Sequence, residues 1–271
     1  FFVISLGLFG LLFGSFGNVI IWRLPRGESL VRPASHCPAC GHEIRWCDNV
    51  PVLSWLLLRG RCRDCGIAIP VRYALIEAGS GVLFALAGLR FGIGARAVVA
   101  ALLFWLLLVL SAIDLDHMRL PNSLVAVVAG LGVTGALAAQ VTGQAVTPLI
   151  GMTGGGALAT PLGAAITGLV LGAGLSGGLA ASYAALRGRQ GLGMGDVKLL
   201  GALGLHLGPF VLMTIVIGSF IGAVAGIVAA RGHALSKVRL PFGPSLAAGG
   251  VITALIGPDV WAWYLRLVGI G

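Results

Sequence analysis

Charge is what this chain has least of: 10% of its 271 residues are Asp, Glu, Lys or Arg, against 58% hydrophobic, and mean hydropathy is +1.00. A soluble domain so composed would lack the polar surface to cover its core, which leaves a multispan helical membrane protein. Cysteine is missing outside the short segment Cys37–Cys65, where all five sit. An odd number in one segment argues against a purely disulfide framework. The opening stretch is not expected to be a cleavable signal peptide either. The opening apolar stretch has no basic n-region and runs past an ordinary h-region to Trp22 and Arg23, so it is expected to be a first span. The stretch 141–161 carries no charge and several Gly and Thr, and is expected to be a flexible connector without chemistry. No long internal repeat is visible.

What is present is a series of long apolar runs. Residues 1–22 can cross a bilayer at the helical rise, and further spans are expected near 73–90, 97–113, 121–141, 162–186, 197–207, 209–230 and 242–265. The run 197–207 is short and contains glycine, so it is either a half-helix or part of the next span; kept separate, it brings the total to eight. Forty-four glycines suit close helix packing in lipid. The expected architecture is all-α and multispan, with about eight transmembrane helices. A first helix at 1–22 precedes a small polar cysteine-knuckle domain at 23–72, and a bundle of about seven helices fills 73–271. The run Val52–Leu58 inside the polar domain is too short to span, and is either that domain's core or an interfacial patch.

The net charge of +9 raises nucleic acid as a partner, but its placement argues for orientation instead. With the amino terminus outside, loops 23–72, 114–120, 187–198 and 231–239 face the cytoplasm and hold 15 of the 18 Lys and Arg residues. That bias follows the positive-inside rule, so no nucleic acid is expected.

Cys37-Pro38-Ala39-Cys40 and Cys62-Arg63-Asp64-Cys65 are two CxxC knuckles, each followed by glycine, at Gly41 and Gly66. Each turn can direct two thiolates at one ion, and two knuckles complete a tetrahedral zinc site with no open position, hence a structural one. His36 and His42 are weaker alternatives as ligands, and Cys47 is expected to be a small buried side chain.

Two aspartates stand at the mouths of apolar runs. Asp114 ends the run Val98–Ile113, and Asp196 closes Gly193-Met194-Gly195-Asp196 before another. Desolvating a carboxylate there is costly, so each is a functional candidate. Facing one another, such a pair can hold one proton and activate water, the chemistry of an aspartic protease. Both fall on the cytoplasmic side in the charge-derived topology. Asp116 competes with Asp114; it is the better candidate for a solvated turn or a helix cap, as Asp114 lies closest to the apolar helix. His117 reads as a polar turn residue. Gly193 and Gly195 allow close backbone approach, and Lys198 adds positive charge beside the aspartate. Taken alone, the GxGD pattern fits a helix-capping aspartate equally well.

Together, Asp114 seven residues before Pro121, the GxGD at 193–196 followed by Lys198, and Gly14-Ser15-Phe16-Gly17-Asn18-Val19 running on to Leu24-Pro25 resemble the type IV prepilin leader peptidases. The cysteine segment, Arg45–Trp55 and Tyr73–Glu77 resemble that family's long bifunctional form. Cys47 replaces an expected aromatic residue and Gly17 an expected leucine. The resemblance implies a bacterial inner-membrane aspartic endopeptidase with Asp114 and Asp196 as its catalytic pair. It would cut the basic leader from prepilins or pseudopilins at the cytoplasmic face, then methylate the new N-terminal residue with S-adenosylmethionine. Glu77 is linked by resemblance to methyl transfer or to the substrate's amino terminus, with a plain helix-entry charge as the alternative. Rival readings are a leader peptidase without methyl transfer, a membrane-anchored zinc-ribbon adaptor, and a proton-coupled transporter, which would more often hold its acids near the midplane.

Overall fold

The protein is described by a computed structural model covering residues 1–148, 160–188, 192–230 and 240–269. The basic loop 231–239, Arg189, Gly191 and the middle of the 141–161 connector therefore lie outside the described residues. Apolar runs become helices, α1 (Phe2–Arg23), α3 (Arg72–Phe91), α4 (Ala95–His117) and α5 (Asn122–Thr142), with α2 (Leu53–Leu57) a short piece in the polar segment. Then follow α6 (Pro161–Leu169), α7 (Ser176–Arg187), α8 (Met194–Leu207), α9 (Val211–Ala230) and α10 (Gly243–Leu267). Among the described residues there is no strand, only two isolated bridges. Local signals set several ends. Thr160 accepts a hydrogen bond from the Gly163 N–H at 3.0 Å, with Pro161 in the first turn, and Gly143 and Gly188 close α5 and α7 with positive φ.

Among the described residues, seven stretches have the length and hydropathy to cross a membrane. The sequence separates eight because of Met194–Ala230, a single 37-residue stretch that the turn Gly208–Phe210 divides into α8 and α9. Likewise the expected span 162–186 is a composite, α6 and α7 joined by the π-helical segment Val170–Leu175.

Helix α4 is the centre. It is buried along most of its length, packs against α1, α3, α5 and α10, and carries the wholly buried Leu103, Phe104, Leu107 and Leu110. Helix α8 lies on α5 and α6. A Cβ on Gly204 would fall 2.1 Å from the Gly168 carbonyl oxygen, so only glycine permits this backbone-to-backbone crossing. The polar segment is tied to the bundle at both ends. Arg23, closing α1, donates to the carbonyls of Ser29 and Pro33 at 3.1 and 2.8 Å. Arg72, opening α3, donates to Asp116 at 2.7 Å and to the Ala112 carbonyl at 3.0 Å.

Candidate functional site

Asp114 lies inside α4, less than a turn from its end at His117, because the helix continues past the apolar run until Met118 adopts a left-handed conformation and donates its N–H to the Asp114 carbonyl at 2.8 Å. The side chain is buried, at 5% exposure. Its Oδ2 accepts a hydrogen bond from the Gly243 N–H at 3.0 Å, the first residue of α10. That amide is one of the helix's unsatisfied N-terminal donors, and a carboxylate there is favoured by the helix dipole. A Cβ on Gly243 would lie 2.6 Å from Oδ2, so the contact requires glycine. Gly243 is not legible as a site residue from the sequence. Its signal is the Pro-Phe-Gly-Pro pattern at 241–244 opening an apolar run, which marks a helix start but not the carboxylate 129 residues away.

Asp196 stands in the first turn of α8, after the N-cap residue Gly193, where a carboxylate is favoured by the helix dipole. A place at the helix start and a place in the site thus coexist. A Cβ on Gly193 would fall 3.1 Å from the Asp196 carboxylate, and one on Gly195 would fall 3.2 Å from Leu120, so both glycines hold the turn against its neighbours. Asp114 and Asp196 line one open cavity of about 420 Å³, together with Met118, Leu192, Gly193, Leu240, Pro241 and Phe242. Two such carboxyl groups titrate as a unit, and between them can deprotonate a water and protonate a leaving group.

The other candidates go elsewhere. Asp116 is engaged by Arg72 and half exposed, a solvated ion pair at the helix end. Lys198 Nζ donates to Asn122 Oδ1 at 3.0 Å, which ties α8 to the start of α5. Glu77, on α3, faces away from the dyad cavity and toward α1. Gly14 lies against its Cα, and Oε2 accepts the Val52 N–H at 2.7 Å. Val52 has φ 62 and ψ −50, closed by a 2.6 Å bond from the Leu53 N–H to the Pro51 carbonyl. A β-branched residue in that conformation costs on the order of 1–3 kcal/mol, and the Glu77 bond is among the contacts that hold it.

Cys37, Cys40, Cys62 and Cys65 converge, with all four sulfurs within 4.8 Å of one another and Cys37 Sγ 3.8 Å from Cys65 Sγ. Tetrahedral zinc–thiolate bonding at about 2.3 Å calls for sulfurs about 3.8 Å apart, so the four residues fit a metal ion. The two knuckles match in detail. In each, the first cysteine's carbonyl accepts from the glycine N–H at 2.9 Å, and Gly41 and Gly66 have φ of 73 and 71. Backbone N–H groups of Cys40 and Ala39 bring the Cys37 thiol down to about 6, toward the thiolate a metal needs. His36 Nδ1 is 3.1 Å from the Ala34 carbonyl, and neither His36 nor His42 joins the cluster. Cys47 is exposed rather than buried, because its carbonyl, not its side chain, makes the local contact, accepting from Ser54 Oγ at 3.1 Å.

Two family models match the chain: the bacterial peptidase A24 N-terminal domain over residues 8–91, and the type IV leader peptidase family over residues 101–227. The chain is 35% identical to the prepilin leader peptidase/N-methyltransferase of Pseudomonas aeruginosa, an alignment that covers 99% of this chain and 95% of that protein. It is 36% identical to the protein so described from Aeromonas hydrophila, covering 95% of this chain and 92% of the relative. A type 4 prepilin-like proteins leader peptide-processing enzyme of Escherichia coli O78:H11 is 37% identical, with 90% of each chain covered. No solved structure gives a significant match.

Proposed function

The chain belongs to the type IV leader peptidase family, and from that premise we propose that it is a membrane aspartic endopeptidase with Asp114 and Asp196 as its catalytic pair. The observation that carries this reading is the meeting of two carboxyl groups, from α4 and α8, in one cavity at the helix ends. One aspartate takes a proton from water as it attacks the scissile carbonyl. The other, protonated, polarises that carbonyl and then donates to the leaving amine. Gly243 positions Asp114 for this step. The cavity opens at the end of the bundle that carries the arginine-rich segment, which the positive-inside bias assigns to the cytoplasm. A prepilin's apolar helix lying against the spans would bring its leader junction there.

The substrates are prepilins or pseudopilins, and the cleaved product is methylated on its new N-terminal residue, in keeping with the relatives' names. S-adenosylmethionine supplies the methyl group when bound. Glu77 is the residue we assign to this second activity. Among the described residues it makes no ion pair, and the hydrogen bond its carboxylate accepts comes from the neutral Val52 amide, which leaves its charge for the amine of the cleaved substrate. The four-cysteine centre holds structural zinc and organises residues 23–72 as a unit.

Incubating the reconstituted full chain with a prepilin and methyl-labelled S-adenosylmethionine tests both activities. Leader-free pilin carrying the label is expected, whereas intact prepilin after incubation with folded protein would overturn the reading. Glu77→Gln should lower label transfer at least about tenfold, on the order of 1.4 kcal/mol, while cleavage proceeds. Equal loss of both activities would remove Glu77 from a specific role in methyl transfer.

A further inference from the structure

The polar segment 23–72 would ordinarily be placed wholly in water, outside the bilayer. Three observations contradict that placement for its middle. The first is depth. The Val52 amide is bonded to Glu77, which lies five residues inside α3 from Arg72, and at the helical rise that is roughly 7 Å below the helix end. The Glu77 side chain leans back toward the helix N-terminus and recovers part of that distance, leaving the 50–53 turn a few ångströms inside. The level of the helix ends is marked by polar and interfacial groups: Trp22 with the Arg26 guanidinium 3.8 Å over its ring, and the Arg72–Asp116 ion pair.

The second observation is independent of that hydrogen bond. A cavity of about 260 Å³ is lined jointly by Leu12, Ser15, Phe16 and Val19 of α1 and by Ser35, Asn49 and Pro51 of the polar segment. Val19 and Leu12 stand four and eleven residues before the end of α1, so Asn49 and Pro51 border a cavity whose α1 wall runs from roughly 6 to 16 Å below the helix end.

The third is the face that α2 presents. Its inner side is used by the segment itself: Ser54 Oγ donates to the Cys47 carbonyl and accepts the Val50 N–H, and Trp55 Nε1 donates to the Ile69 carbonyl at 3.0 Å. Its outer side is Leu53, Leu56 and Leu57, exposed by 52%, 58% and 73%. Leu8 on α1, a helix long enough to cross the membrane, is exposed to the same degree, 58%, and is expected to meet lipid. Immediately after α2 come Arg59 and Arg61, exposed and without an acidic partner among the described residues, whereas Arg45 and Arg63 are paired to Asp64 and Asp48.

We propose that residues 49–58 are seated in the membrane interface, with Leu53, Leu56 and Leu57 in the acyl boundary and Arg59 and Arg61 on anionic lipid headgroups. An apolar face at that depth followed by unpaired basic residues is the pattern of an interfacial helix, and neighbouring arginines strengthen the attraction to anionic lipid. At five residues α2 is too short to bind on its own. The spans on either side and the Glu77 bond hold it at the required level, so that the bilayer becomes one wall of the cysteine unit.

The test uses the full chain in lipid nanodiscs whose acyl chains carry a photoactivated carbene, with adducts mapped by mass spectrometry. A water-borne hydroxyl-radical footprint is taken in parallel. Acyl adducts on Leu53, Leu56 and Leu57, with yields within about twofold of that on Leu8 and with protection from the aqueous radical, are expected if these positions share one lipid environment. Aqueous labelling of the three leucines without acyl adducts would place them in water and overturn the proposal. Protection from both reagents would mean that protein, not lipid, covers the face, and would overturn it equally. The Arg59→Gln/Arg61→Gln variant should lower adduct yield on α2 in anionic nanodiscs and leave it unchanged in zwitterionic ones. An equal yield in both would remove the headgroup contact.

Discussion

At the scale of the residue, the site turns on which groups are already committed. Asp114 and Asp116 are indistinguishable by composition, and proximity to the apolar run was the only local reason to prefer the first. The structure supplies a physical one: Arg72 engages Asp116 at 2.7 Å, while Asp114 points into the cavity with Asp196. Exposed ion pairs contribute about 0–1 kcal/mol, so Asp116→Asn should leave prepilin cleavage and thermal midpoint close to those of the parent. A large loss of cleavage in that variant would return Asp116 to the catalytic role. Gly243→Ala should behave in the opposite way. Its Cβ would sit 2.6 Å from Asp114 Oδ2 and displace the carboxylate, and misplacement by about 1 Å costs on the order of a hundredfold in rate. A steady-state assay should show that loss in kcat with the protein still folded. Gly243 was illegible in the sequence because its function is to offer an amide to a side chain 129 positions away, and a local pattern carries no such pairing.

At the scale of the element, the two knuckles were legible almost to the atom, since CxxC-Gly encodes a turn and the turn dictates where the sulfurs point. Substituting Cys37 or Cys62 by serine should release the metal, measured as the loss of about one bound zinc per chain, because four ligands close a structural site. Unchanged metal content in both variants would show that the ion is held elsewhere. Near the same centre, Arg63 donates two hydrogen bonds to Asp48 and holds its carboxyl below the usual carboxylate range. A carboxyl group held down in the folded state adds stability above its unfolded pKa of about 3.9 and loses it as pH falls through the lower folded value. Acid unfolding should therefore shift to higher pH in Asp48→Asn, by little because Arg63 is half exposed. The short α2 shows what periodicity leaves open: five residues cannot reveal whether an apolar run is core or interface. Here Glu77 on another helix decides its level.

At the scale of the whole molecule, long apolar runs delivered the spans, because a bilayer leaves helices as the way to satisfy the backbone. They also placed one break, since the expected runs 197–207 and 209–230 part where Gly208–Phe210 turns, but not the π-helical segment Val170–Leu175 inside the expected span 162–186. That segment lies where α6 and α8 cross backbone against backbone, through glycines whose purpose only packing reveals. Gly204→Leu should separate these helices and lower the thermal midpoint of the detergent-solubilised protein by several degrees, while the equivalent change at Gly130, which faces open space, should not. Helix α4 connects this half of the bundle to the half bearing the cysteine unit, and the crossing sets the position of α8, hence of Asp196. The whole arrangement thus converges on the carboxyl pair. Its most direct test is prepilin cleavage by the full chain in membranes, with Asp114→Asn and Asp196→Asn made separately. Each is predicted to abolish cleavage while the protein remains folded and inserted, and normal cleavage by either variant would contradict the account.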